Sequence, residues 1–187
     1  MLIISKKYSI TKNNYFYTVS SLLRHKNTFT LLKMMNKLVN EMGHTDIKLL
    51  ISGIKGDHFN NLAKYVDDHD LKDFCVFTGY VSDAERNSLM QNASYFLFPS
   101  LFEGFGMPII EAMRLGTKVI TTRCASLEEV SQGEAIYVDN PFDVDEWINK
   151  IEMHKTYTQM PYDFHQYDIS VISQHYLDYF NAFISEK

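Results

Sequence analysis

The sequence predicts an α/β domain: a Rossmann-like, mostly parallel sheet with helices on both faces. Short apolar runs recur along the chain, and amphipathic stretches with helical spacing separate them. The runs are apolar throughout rather than alternating, as expected of strands covered on both sides. Strand and helix take turns, the pattern that builds a parallel sheet.

Residues 1–14 read as a polar lead-in or interdomain linker, and residues 15–187 as one domain. Tyr15–Val19 is the first strand. In residues 28–42, Leu31, Leu32, Met35, Leu38, Val39 and Met42 share one helical face. Residues 47–51 form an unbroken apolar strand stopped by Ser52-Gly53. A helix over residues 57–69 buries Phe59, Leu62, Ala63 and Val66, and a short strand follows at 75–78. Ser82-Asp-Ala-Glu85 has the capping-box pattern and starts a helix that ends near Asn92. Tyr95–Phe98 is the next strand, and Pro99 stops it. Residues 118–122 form another strand, 126–129 repeat the capping-box pattern, and 135–138 form the last strand. Asp143-Val-Asp-Glu146 opens a helix with Val144, Trp147, Ile148 and Ile151 facing inward. Residues 152–167 have no clear period. Beyond them Val171, Ile172, His175, Tyr176, Tyr179, Phe180 and Phe183 form one stripe of a C-terminal helix within 168–187.

The chemistry concentrates between Pro99 and Glu111. A loop carrying Glu103, Gly104 and Gly106 leads to Pro108, which opens a helix with Glu111 in its first turn. Proline suits a helix start because its missing N–H would find no intrahelical partner there. The neighbouring amides are orphan donors, and with the helix dipole they make a seat for phosphate. Gly104 and Gly106 let backbone approach a ligand closely. Two carboxylates flank the seat, spaced Glu-x7-Glu. Amides that take phosphate beside acids that take hydroxyls suit a sugar nucleotide.

Composition excludes several classes. At 187 residues, 45% of them hydrophobic and 22% charged, the chain fits one domain with a full core. A net charge of −5 offers no basic field for nucleic acid. Cys75 and Cys124 are widely separated and read as buried, reduced thiols of a cytosolic protein. No stretch approaches the ~20 apolar residues of a membrane span, and no signal peptide is visible. The expected location is cytoplasmic. The histidines lack ligand spacing, Asp67-Asp-His-Asp70 reads as a solvated helix end, and no metal is expected. The dinucleotide fingerprint G-x-G-x-x-G is absent. Asn92-Ala-Ser94 fits the glycosylation sequon but leads into a buried strand.

The segment from Phe98 to Met113 closely resembles the signature of retaining glycosyltransferases of family four, which have the GT-B architecture. Val76-Phe-Thr-Gly-Tyr-Val-Ser-Asp resembles the strand and turn before that signature. Gly116-Thr-Lys-Val-Ile-Thr-Thr and Ser126-Leu-Glu-Glu-Val resemble the segments on its C-terminal side, and Val19-Ser-Ser-Leu-Leu-Arg-His-Lys-Asn27 resembles the family's first strand and lysine loop. The resemblance covers roughly residues 15–145, in the expected order.

It implies the C-terminal half of a GT-B enzyme, the half that binds a nucleotide-diphosphate sugar. Glu103 then contacts donor-sugar hydroxyls, and Lys26 binds the diphosphate; these are the catalytic candidates. Gly104, Phe105, Gly106 and Met107 bind the donor through the loop, and Glu111 binds the ribose hydroxyls. Many members carry an arginine five residues before the lysine, where this chain has Ser21, so Arg24 or His25 would have to supply a second cation. Phe102 and Phe105 are candidates to wall the pocket. The family needs no divalent metal or other cofactor and retains anomeric configuration by same-face substitution.

Family members are about twice this length and hold the acceptor site in an N-terminal half. The expected partners are therefore a nucleotide sugar, that missing acceptor domain and a glycan or lipid-linked acceptor. Any contact with the inner face of the membrane falls to the missing half. The expected activity is hexosyl transfer, and the lysine loop is loosely similar to mannosyl and related transferases of bacterial surface-polysaccharide pathways. Alone, the chain is expected to be inactive, whether an excised domain, a truncated product or one subunit of a split enzyme. Two alternatives stand beside this: a nucleotide-sugar-binding module without transferase activity, and a UDP-sugar epimerase of the same architecture, whose carboxylate and histidine pattern is not seen.

Overall fold

The computed structural model describes residues 2–159 and 161–185. Six strands form one sheet: β1 (Tyr15–Val19), β2 (Lys48–Ser52), β3 (Cys75–Gly79), β4 (Tyr95–Phe98), β5 (Val119–Thr122) and β6 (Ile136–Val138). All neighbouring pairs are parallel, and the spatial order is β3-β2-β1-β4-β5-β6. The chain winds outward from β1, crosses back to β4, and then winds the other way. Such an order leaves a crevice outside the carboxyl ends of β1 and β4. The predicted fold class is the one observed.

The helices are α1 (Leu2–Tyr8), α2 (Thr28–Asn36), α3 (Phe59–Asp68), α4 (Asp83–Gln91), α5 (Met107–Arg114), α6 (Leu127–Val130), α7 (Val144–Met153) and α8 (Ile169–Ser185). Alternate strand residues feed two cores, one on each face. Phe16, Leu49, Ile51, Leu97 and Ile120 pack with Leu31, Leu32 and Met35 of α2, Leu62 of α3 and Trp147 of α7. Tyr15, Tyr17, Leu50, Phe96 and Phe98 pack with Leu89 and Met90 of α4 and with Ile109, Ile110 and Met113 of α5. Burial on both faces explains the unbroken apolar runs.

Several expectations need correction. Residues 1–14, read as a polar lead-in, carry α1, with Tyr8 and Ile10 in the second core. Two of its polar residues are matched: Lys7 Nζ and Tyr8 Oη donate to Glu85 Oε1 at 2.8 and 2.9 Å. The bond from Lys7 holds the Glu85 carboxyl below the usual carboxylate range. Glu85 is thus not free to close the expected capping box, of which only the Ser82 half forms. The predicted helix over 28–42 is α2 followed by a π turn at Lys37–Glu41, which widens the coil and leaves Met42 exposed. Ala63 is only partly buried.

The second capping box is absent. Ser126 has helical backbone angles, and its hydroxyl is drawn elsewhere. The C-terminal helix exists, but most of its stripe is exposed, including Tyr176, Tyr179, Phe180 and Phe183, while Val171 and Ile172 are half-buried. Residues 186 and 187, and Met1 of the lead-in, lie outside the described residues. Cys75 is buried, which pushes its thiol up to about 12, whereas Cys124 is only half-buried. Asp67 and Asp68 pair with Lys72 and Lys64, as suits a solvated helix end. No helix among the described residues is long and apolar enough to cross a membrane.

Trp147 is fully buried, and its indole N–H donates to the Pro141 carbonyl at 3.2 Å. Trp147→Ala empties the first core beneath α7 and should cost about 3–5 kcal/mol in urea unfolding. Trp147→Phe, which keeps most of the volume, should cost distinctly less.

Candidate functional site

Two loops meet above the crevice. The first leaves β1, runs through Leu22 in the left-handed region (φ 52°), and makes a 3-10 turn at Arg24–Lys26. Such backbone strain persists only where surroundings enforce it. Here the next loop presses from below: a Cβ on Gly53 would lie 1.9 Å from the Ser20 carbonyl oxygen. The second loop leaves β4 and ends at the start of α5. It is pinned to the first by Leu101 N–H donating to the His25 carbonyl at 2.8 Å. It is pinned to β5 by Thr122 Oγ1 donating to the Ser100 carbonyl at 2.7 Å.

These ties bring Lys26 and Glu103 together across 77 positions of sequence, Nζ to Oε1 at 2.6 Å. Their side chains are only 20% and 12% exposed. A half-buried pair of this kind loses hydration that its own attraction only partly restores. Both catalytic candidates thus occupy one place.

The loop beyond Glu103 is shaped to leave donors free. Gly106 caps α5 with φ 100°, and a Cβ there would meet Leu127 Cδ2 at 2.7 Å. Ser126 Oγ donates to the Phe105 carbonyl at 3.0 Å, turning that oxygen toward α6. The amides of Gly104, Phe105, Gly106 and Met107 donate to no group among the described residues. They surround the N-terminus of α5, where the dipole favours an anion. Phe102 is exposed at the rim, and Phe105 meets Tyr167 edge-to-face at 5.1 Å.

Glu111 departs from expectation. The helix starts at Met107, with Pro108 after it, so Met107, Pro108, Ile109 and Ile110 precede Glu111 and it lies beyond the first turn. The dipole effect falls off within that turn, so it does not account for the acid. A cation does. Arg86 of α4 places Nη2 3.2 Å from Glu111 Oε1. Arg86 was not singled out from the sequence. The signal was there, since helical spacing puts it on the same face as buried Leu89 and Met90. Arg24 and His25 are exposed in the first loop, and Arg24 forms no ion pair among the described residues.

The site therefore offers orphan amides for an anion, a half-buried ammonium beside one acid, and a second acid held by a guanidinium. Set beside known proteins, residues 2–167 match the family described as glycosyl transferases group 1. O-antigen chain mannosyltransferase B of Escherichia coli is 33% identical over 142 residues, covering 76% of this chain and 37% of its own length. O-antigen chain mannosyltransferase RfbU of Salmonella typhimurium is 36% identical over 150 residues, covering 80% and 40%. The chain thus spans about two-fifths of the length of these relatives. Among solved structures, the lipopolysaccharide outer core galactosyltransferase WaaB superposes with a TM-score of 0.70 at 20% identity, over 94% of this chain and 50% of that one. Anabaena Alr3699/HepE in complex with UDP and glucose gives 0.69 at 19%, over 81% and 41%. At those identities the likeness is one of fold.

Gly106 and Gly104 separate the strained position from the open one. Gly106→Ala should cost about 1–3 kcal/mol of stability in urea unfolding. Gly104→Ala, where a Cβ meets nothing within 4 Å, should cost well under half of that.

Proposed function

The chain belongs to the glycosyl transferase group 1 family, and from that premise we propose that it is the donor-binding domain of a retaining glycosyltransferase. It holds a nucleotide-diphosphate sugar whose hexosyl group passes to a glycan or lipid-linked acceptor in bacterial surface-polysaccharide synthesis. The observation that carries the reading is the convergence of Lys26, Glu103 and the free amides of Gly104 to Met107 at one crevice. Mannosyl transfer is the favoured case, because both O-antigen relatives are named for it. The acceptor site belongs to the part of such enzymes that these relatives contain and this chain does not span.

Each group takes a role from charge development. The bond between the anomeric carbon and the diphosphate oxygen breaks through an oxocarbenium-like state. Negative charge grows on the leaving diphosphate. The α5 amides and Lys26 stand where that charge appears, fixed before the reaction begins. In the ligand-free pair Lys26 and Glu103 neutralise one another; a bound donor parts them, the ammonium turning to phosphate and the acid to sugar hydroxyls. Glu111 accepts hydrogen bonds from the ribose hydroxyls. The leaving phosphate takes the acceptor proton on the same face, and none of these residues serves as a metal ligand in that scheme. On its own the chain binds donor without transferring it.

Calorimetry and thermal shift with UDP, GDP and ADP test the reading. One of the three should bind, and at 100 times its Kd it should add about 2.7 kcal/mol of stability. Failure of all three would end it. In the complete enzyme, Lys26→Ala should lower turnover by about tenfold or more, since a preorganised donor to developing charge is lost. Unchanged turnover would remove Lys26 from the site. Measuring transfer with and without the acceptor half separates the enzyme from a binding module.

A further inference from the structure

The guanidinium beside Glu111 takes no part in the donor-site scheme, yet the packing gives it a role. α4 and α5 lie side by side on one face of the sheet, with Leu89 and Met90 of the former and Ile109, Ile110 and Met113 of the latter in the same core. Arg86 sits on the inward face of α4, its side chain 30% exposed, and reaches across to Glu111, itself 29% exposed. The other acid near it is Asp83, 84% exposed and 3.6 Å away. Arg86 Nε is buried and has no hydrogen-bond partner among the described residues. Burying that donor unpaired has a cost, and a surface ion pair returns little. A guanidinium kept under those terms is explained if its contact with Glu111 serves something else.

A glutamate side chain has three torsions and gives up rotamer freedom when a ligand fixes it. A vicinal diol needs a carboxylate in one plane, since both hydroxyls donate to it together. Arg86 restrains the carboxylate through a single charge-assisted bond from Nη2. It occupies only Oε1 at 3.2 Å, and a carboxylate has further lone pairs, so Oε2 stays open.

We propose that Arg86 is a positioning residue that presets the Glu111 carboxylate for the ribose diol of the donor nucleotide. The inference rests on the donor-site reading, and its test separates the two. The 187-residue chain is titrated calorimetrically with UDP, GDP and ADP and with the 2′,3′-dideoxy analogue of each. The nucleotide that binds should outbind its dideoxy analogue. Arg86→Gln should weaken the parent by about tenfold and leave the dideoxy analogue within about twofold, because only the diol uses the oriented acid. Arg86→Lys should give the same selective loss in smaller measure, and it guards against a folding defect in the glutamine variant. Equal loss for both ligands, or no loss for either, would overturn the proposal. Glu111→Gln serves as reference. If it abolishes the preference for the diol while the Arg86 variants keep it, the positioning role alone falls. If Glu111→Gln leaves the preference intact, or if none of the three nucleotides binds, the donor-site reading falls and the positioning role with it.

Discussion

Two halves of one sheet wind in opposite directions, and the gap above β1 and β4 is the constraint on which everything else rests. The helix after β1, α2, packs on one face of the sheet, and the helix after β4, α5, packs on the other. The loops that leave them are therefore free to face each other instead of packing under a helix. Lys26 arrives from one strand and Glu103 from the other, and hydrogen bonds from Leu101 and Thr122 fix the second loop in place. A sheet wound in one direction would have carried these loops to opposite ends of a row of strands.

Around that gap the structure keeps polar groups unsatisfied in a directed way. A left-handed Gly106 turns the chain into α5 and leaves the amides from Gly104 to Met107 without partners among the described residues. Ser126 takes up the Phe105 carbonyl and removes the acceptor that would otherwise face inward among those donors. The result, in a chain of net charge −5, is a small cluster of backbone donors beside the Lys26 ammonium. The two acids are each countered by a cation, Glu103 by Lys26 and Glu111 by Arg86. Neither acid therefore stands as an uncompensated charge beside those amides.

Much of this was legible in the order of residues. Unbroken apolar runs separated by amphipathic stretches gave the parallel sheet, since strands buried on both faces have no polar alternation. Gly104, Gly106 and Pro108 gave the loop and the helix start that follows it, because helix starts have local signatures. The misreadings fall where a local pattern met a distant competitor. Ser126 carries the capping pattern but bonds to Phe105, and Glu85 carries it but is taken by Lys7 and Tyr8 of a helix that looked like a polar linker. The stripe of α8 has helical period yet is mostly exposed, since periodicity marks an apolar face without saying what covers it.

By itself, then, the sequence determined the strand and helix alternation, the glycine-bearing loop that leads into a helix near Pro108, and the chemistry of each acid and amide. These are set by neighbours a few positions apart. Only the tertiary structure decided that Lys26 meets Glu103, that Arg86 meets Glu111, and that residues 1–14 join the core. Those contacts span 77 and 25 positions in the two ion pairs, and the geometry that closes them comes from the strand order of the whole sheet, which no local spacing encodes.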